Sequence, residues 1–195
     1  MRKILKGERI LGIDPGSRVA GFSVLEAKSL QNLAPKDFKL VEIGVITLKK
    51  ERSLPERLGD LHDSLFEIIG RVKPDYFAIE KAFVGQNASS ALKLGEARGA
   101  LTSAARRFKL VVEEITPAEV KKVITGSGVA DKEEIRKALG DLMGFNTIDL
   151  PYDASDALGV ALSFALLGGR RPAARRGGAR MVDVAKKVLG ESAGR

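Results

Sequence analysis

The chain has 195 residues, 44% of them hydrophobic, which suits one domain with a sizeable core. It has no Cys and a single His, His62, which excludes disulfides, a thiol nucleophile and Cys-ligated zinc and leaves little for a His-based site. The net charge is +8, but residues 170–195 carry eight Lys/Arg against two Asp/Glu, so the remainder is nearly neutral.

Taken in chain order, residues 1–8 read as a basic N-terminal extension. Lys6, Glu8 and Arg9 interrupt it before a signal-peptide core can form. No later segment reaches the ~18–20 apolar residues of a membrane span. The expectation is a soluble cytoplasmic protein. The run "RILGID" (9–14) predicts a buried strand, and Pro15-Gly16 a turn into a second strand over 19–27. "FKLVEIGVITL" (38–48) alternates as a third strand, so the first three strands are expected to form an antiparallel meander. Leu54, Leu58, Leu61, Leu65, Ile68 and Ile69 fall at helical spacing over 54–72, and Pro74 ends that helix. "DYFAIE" (75–80) is a short strand. Residues 88–107 form a long helix rich in Ala and Gly, and 109–115 another strand. Pro117 opens a helix to about Ile124. "TGSGVAD" is a loop, Asp131 caps a helix over 132–143, and a last helix covers 153–167.

The predicted fold class is α/β, a layered domain over 9–168 followed by a tail over 169–195. The tail segment "GGRRPAARRGGAR" has the composition of a flexible basic arm. It reads either as a sequence-blind phosphate contact or as a solubilising extension. Internal repeats are not seen.

Four acidic residues occupy unusual places. Asp14 ends the first strand, Glu80 ends "DYFAIE", and Asp153 and Asp156 open the last helix at i, i+3. Each alone has an ordinary reading: a turn cap, a strand end, an N-cap, a first-turn acid. Together they acquire a chemical one. If the two strands are neighbours and the last helix packs over their ends, four carboxylates converge. Such a cluster raises its own pKa values unless cations neutralise it. Oxygen-only ligands favour hard ions such as Mg²⁺ or Mn²⁺, and a pair of these suits phosphodiester hydrolysis.

Four blocks also carry a resemblance: "ILGIDPGSRVAGFSVLE", "PDYFAIEKAFVGQNASSALKLGEARGAL", "ITPAEVKKVITGSGVADKEEI" and "DASDALGVALSFA". In this order and spacing they resemble the bacterial RuvC family of Holliday-junction resolvases. The resemblance implies an RNase H-like fold, a five-stranded mixed sheet flanked by helices, with its first three strands antiparallel. It implies that Asp14, Glu80, Asp153 and Asp156 are the catalytic, metal-holding quartet, with two Mg²⁺ ions that Mn²⁺ can replace. The implied activity is resolution of four-way junction DNA in recombination and repair, by paired symmetric nicks leaving 5′-phosphate and 3′-OH ends.

Phe83 follows Glu80 in a loop, where an aromatic side chain can stack on an unpaired base or bury itself under the loop. The resemblance favours stacking. It also assigns Lys121 and Lys132 to phosphate near the cut, with Lys122 as a substitute for Lys121. Lys81 departs from the family pattern and is given a weak phosphate role. A symmetric junction and a single quartet call for a twofold homodimer. Ala88, Ala91, Gly95 and Gly99 would let another helix approach residues 88–107 closely, although a core helix has the same pattern. RuvA and RuvB, the branch-migration proteins, enter as partners through the resemblance alone.

Three rivals remain at this level. "LGIDPGS" is similar to the phosphate loop of actin-like ATPases, but 195 residues are short for two lobes and no second Gly-rich loop is present. A related RNase H-like nuclease could act on RNA or other branched DNA. A non-catalytic junction-binding protein would not need an intact quartet.

Overall fold

The structure is a computed structural model that describes residues 7–27, 34–81 and 87–168. Phe83, the tail 169–195 and residues 1–6 of the expected extension lie outside the described residues.

Five strands form one sheet: β1 (Glu8–Asp14), β2 (Val19–Ala27), β3 (Lys39–Thr47), β4 (Tyr76–Glu80) and β5 (Val112–Ile115), in the order β3-β2-β1-β4-β5. β1–β2 and β2–β3 are antiparallel, as expected of the meander, while β4 joins β1 and β5 joins β4 in parallel. The helices are α1 (Leu54–Val72), α2 (Ala88–Arg107), α3 (Pro117–Thr125), α4 (Lys132–Met143) and α5 (Tyr152–Leu166).

The strands are apolar on both faces because helices cover both. Leu11, Ile13, Phe22, Val24, Phe77 and Ile79 share one core with Leu61, Leu65 and Ile69 of α1 and Ala97 and Leu101 of α2. Ile10, Leu25 and Ala78, offset by one residue, face a second core with Val120 of α3, Leu139 of α4 and Leu158 and Ala161 of α5. The period of two along each strand thus assigns side chains to two layers.

Local signals set the helix ends. Ser53 and Glu56 make a capping box for α1, Thr116 and Glu119 one for α3, and Asp131 and Glu134 one for α4. Gly126 (φ 75°) and Gly144 (φ 73°) close α3 and α4 in the left-handed conformation that glycine adopts without a Cβ clash.

Two expectations are corrected. The fifth strand begins at Val112 rather than 109, because Lys109 N–H and Leu110 N–H turn back onto the carbonyls of Arg106 and Ala105 and finish α2 instead. The first strand begins at Glu8, which pairs with Ala27, so that residue belongs to the sheet rather than to an extension.

Two glycines let α5 approach the sheet. A Cβ built on Gly12 would stand 2.5 Å from the Ala157 carbonyl oxygen, and one on Gly21 would stand 1.8 Å from the Asp153 carbonyl oxygen. Between them Ser23 Oγ donates to the Ala157 carbonyl at 3.0 Å. The first turn of α5 is therefore pressed onto the β1–β2 ends, at the edge where Asp14 lies.

Candidate active site

Asp14 and Glu80 are the last residues of β1 and β4. Those strands are parallel neighbours, with Ile13 opposite Ile79, so the next position in register sets the two carboxyl groups side by side. Both lie on the face of Gly12 and Ala78, the face that α5 covers. Their side chains hydrogen-bond to each other. Asp153 and Asp156 enter from the first turns of α5, and Asp14 lies within the field of both.

The electrostatics follow from this crowding. Burial, then the charge of Glu80 and the hydrogen bond to it, then Asp156 and Asp153 push Asp14 up to about 9. Burial also raises Glu80, and the nearby Asp156 charge adds to it against opposing effects of the Asp14 hydrogen bond, Lys132 and Arg98. Asp156 is raised by burial in spite of Lys132. Burial and the neighbouring acids thus favour the protonated form of Asp14 and work against ionising both members of the pair.

Lys132, the first residue of α4, supplies one cation. Its Nζ lies 3.4 Å from Asp156 Oδ2 and 5.9 Å from the centre of the Tyr152 ring. The Asp156 charge holds the Lys132 ammonium above its ordinary pKa. Its side chain is 70% exposed, so it can also meet a ligand arriving from solvent. Lys81 is exposed next to Glu80, and its backbone N–H donates to the Ile115 carbonyl at 2.8 Å. Lys121 is half-buried and Lys122 exposed on α3; among the described residues neither joins the carboxylate cluster through an ion pair. Phe83 lies outside the described residues.

Two arginines singled out by no sequence motif hold the site's supports. Arg98 of α2 donates to the Glu80 backbone carbonyl and to the Glu114 carboxylate, with its side chain 14% exposed. Arg136 of α4 is 5% exposed. It donates to the carbonyls of Thr147 at 3.2 Å, Leu150 at 2.9 Å and Ile148, and stacks 4.3 Å from the Tyr152 ring centre. It fixes the loop that leads into α5 and so into Asp153. An arginine in an amphipathic helix carries no sequence signal of such a role.

The donor set suits a hard divalent cation: four carboxyl groups, no nitrogen or sulfur ligand, and a buried acid pair short of positive charge. Among the described residues no three of these groups already stand at the spacing that grips one ion. A cation held here would have to draw the carboxylates together.

The same region lies in the part of the chain that matches known proteins. The family model described as "Crossover junction endodeoxyribonuclease RuvC" matches residues 10–164. A curated protein of that name from Chlorobium phaeovibrioides is 39% identical over 153 residues, 78% of each chain. One from Halorhodospira halophila is 41% identical over 157 residues, 80% of this chain and 89% of its own. Among solved structures, Thermus thermophilus RuvC in complex with a Holliday junction substrate superposes with a TM-score of 0.75 at 30% identity, covering 83% of this chain and 95% of the other. The yeast mitochondrial Holliday junction resolvase Ydc2 shares the fold, with a TM-score of 0.56 at 15% identity, 84% of this chain and 82% of its own. This match over most of the chain, on a sheet whose paired acids lie under the first turn of an apolar helix, establishes that the protein belongs to the RuvC family of crossover junction endodeoxyribonucleases.

Proposed function

We propose that this chain is a structure-selective DNA endonuclease that resolves four-way junctions in homologous recombination and repair, by paired symmetric nicks near the crossover. The observation that carries this reading is the side-by-side placement of Asp14 and Glu80 under the first turn of α5, in a chain of this family.

Asp14, Glu80, Asp153 and Asp156 are the residues that would hold divalent cations, two Mg²⁺ ions with Mn²⁺ as a substitute. When bound, such ions stabilise charge on the scissile phosphate and activate a water nucleophile, giving 5′-phosphate and 3′-OH ends. Because the site raises the pKa of Asp14 and Glu80, a metal ion held there would compete with protons for their carboxylates. β1 and β4 hold both groups on rigid strand ends, so the two carboxyl groups start as neighbours. Lys132 leaves Asp156 or shares it with a phosphate oxygen. Lys121, Lys122 and Lys81 contact the backbone of the junction, and Phe83 stacks on a base near its centre.

Two cuts on a symmetric junction call for two copies of the site, and α2 is the surface proposed to join them. Leu92 is 65% exposed on that helix, and a Cβ added to Gly95 or Gly99 would meet nothing within 4 Å. No helix among the described residues is long and apolar enough to cross a membrane. The setting proposed for the enzyme is the cytoplasm, with RuvA and RuvB as partners on the junction.

The test is cleavage of a labelled, branch-migratable four-way junction beside a linear duplex and an RNA–DNA hybrid, with Mg²⁺, Mn²⁺ or EDTA. The expected result is paired, metal-dependent nicks in the junction alone, lost in Asp14→Asn. Preference for the hybrid, or tight junction binding without cutting under any metal, overturns the reading.

A further inference from the structure

Glu80 is the last residue of its strand, and the chain leaves the sheet directly after it. A carboxylate at such a point is only as well placed as the backbone beneath it. On one side that backbone is tied to β5, through Lys81 N–H on the Ile115 carbonyl at 2.8 Å. The Glu80 carbonyl itself is taken by a side chain from another element, Arg98 of α2. The second arm of the same guanidinium is anchored on Glu114 of β5. Arg98 is thus a fork with one prong on the backbone of Glu80 and the other on the adjacent strand, and only 14% of its side chain reaches solvent. Planar guanidinium geometry fixes both prongs at once, which an ammonium cannot do.

We infer that Arg98 is a positioning residue of the nuclease site, clamping the end of β4 so that Glu80 is presented in the orientation a divalent cation requires. The inference rests on the reading of Glu80 as a metal-holding residue. In this reading Arg98 acts through the Glu80 backbone and the Glu114 carboxylate rather than as a ligand. Its role is that of an outer partner, the kind whose loss weakens a metal site about 10–100-fold without removing a ligand.

The experiment uses the full chain and reads Mn²⁺ binding by calorimetry or EPR, junction affinity in EDTA, the kcat and KM of junction cleavage, and thermal midpoint. Arg98→Gln is expected to weaken Mn²⁺ binding about tenfold or more and to lower kcat, with junction affinity in EDTA unchanged. Arg98→Lys keeps the charge without the fork and recovers part of the loss. Glu114→Gln frees one prong and shows a smaller loss than Arg98→Gln. Mn²⁺ affinity and kcat at wild-type level in Arg98→Gln overturn the inference, as does a loss confined to KM and junction binding. If Arg98→Gln fails to fold, Arg98→Lys decides, and wild-type Mn²⁺ affinity in it is the overturning result. Glu80→Gln separates the two levels. If it is inactive beside a wild-type-like Arg98→Gln, only the positioning role falls. If it binds Mn²⁺ and cuts normally, the role of Glu80 falls and takes this inference with it.

Discussion

Asp14 shows what burying a carboxyl group among other acids costs a fold. Burial and the Glu80 charge push its pKa up from the ordinary carboxylate range to about 9, so the fold favours the protonated acid over the carboxylate. The stability this confers is full below the unfolded-state pKa and is lost as pH rises through the folded one. Without metal, the protein is therefore expected to weaken between about pH 4 and pH 9. Asp14→Asn removes that loss. Thermal melts in EDTA should show the variant above wild type by about 1–3 kcal/mol at pH 8, several degrees in Tm, with the gap shrinking towards pH 5. A constant gap across this range would contradict the assignment. Mg²⁺ or Mn²⁺ should raise the wild-type midpoint more at pH 8 than at pH 6, because loading releases protons. Lys132 makes a contrasting case. Its contact with Asp156 is exposed and long at 3.4 Å, so it stabilises the fold by roughly 0–1 kcal/mol. Lys132→Ala should leave urea-melt stability within that range while junction cleavage falls at least about tenfold; equal retention of both would remove Lys132 from the site.

At the scale of elements, the decisive contact is α5 against β1 and β2. The helix is hydrophobic nearly all round and is buried along most of its length. Its close approach depends on positions with no side chain. Gly21→Ala would place a methyl group 1.8 Å from the Asp153 carbonyl oxygen, so backbone must move. It is expected to destabilise by about 1–3 kcal/mol in urea melts and to reduce cleavage further by displacing Asp153. Gly59 is the matched control: it lies exposed in α1 with nothing within 4 Å of an added Cβ. Gly59→Ala should stabilise by about 0.5–1 kcal/mol through helix propensity, with cleavage unchanged. These two glycines look alike in the sequence. The helices themselves were legible to within a residue or two, since their apolar period and their capping residues are local. The start of the fifth strand was not, because "KLVVEEI" has the composition of a strand throughout. Its first residues are recruited instead by the open carbonyls at the end of α2.

At the scale of the whole molecule, the proposed paired cuts on a four-way junction call for two copies of the candidate site. The open face of α2, with Leu92 exposed and unoccupied space over Gly95 and Gly99, is the surface expected to pair with a second copy. Leu92→Glu should convert a dimer to a monomer by sedimentation, with the thermal midpoint of the domain little changed. Paired nicking should fall away before junction binding does. A dimer that survives Leu92→Glu together with Gly99→Arg would move the interface elsewhere.

The sequence by itself determined the nature of the domain: alternating strands, capped helices, four carboxylates at element ends and a family resemblance that the comparisons bear out. Those features are legible because they depend on neighbours a few residues apart. Only the tertiary structure decided which distant groups meet. Residues 14 and 80 are brought together by the parallel β1–β4 register, and α5 reaches them because Gly12 and Gly21 make room. Arg98 and Arg136 look like surface arginines in the sequence and become clamps only when the carbonyls they hold are placed beside them. Periodicity is written along the chain, whereas partnership across it depends on how two apolar faces of a sheet are covered.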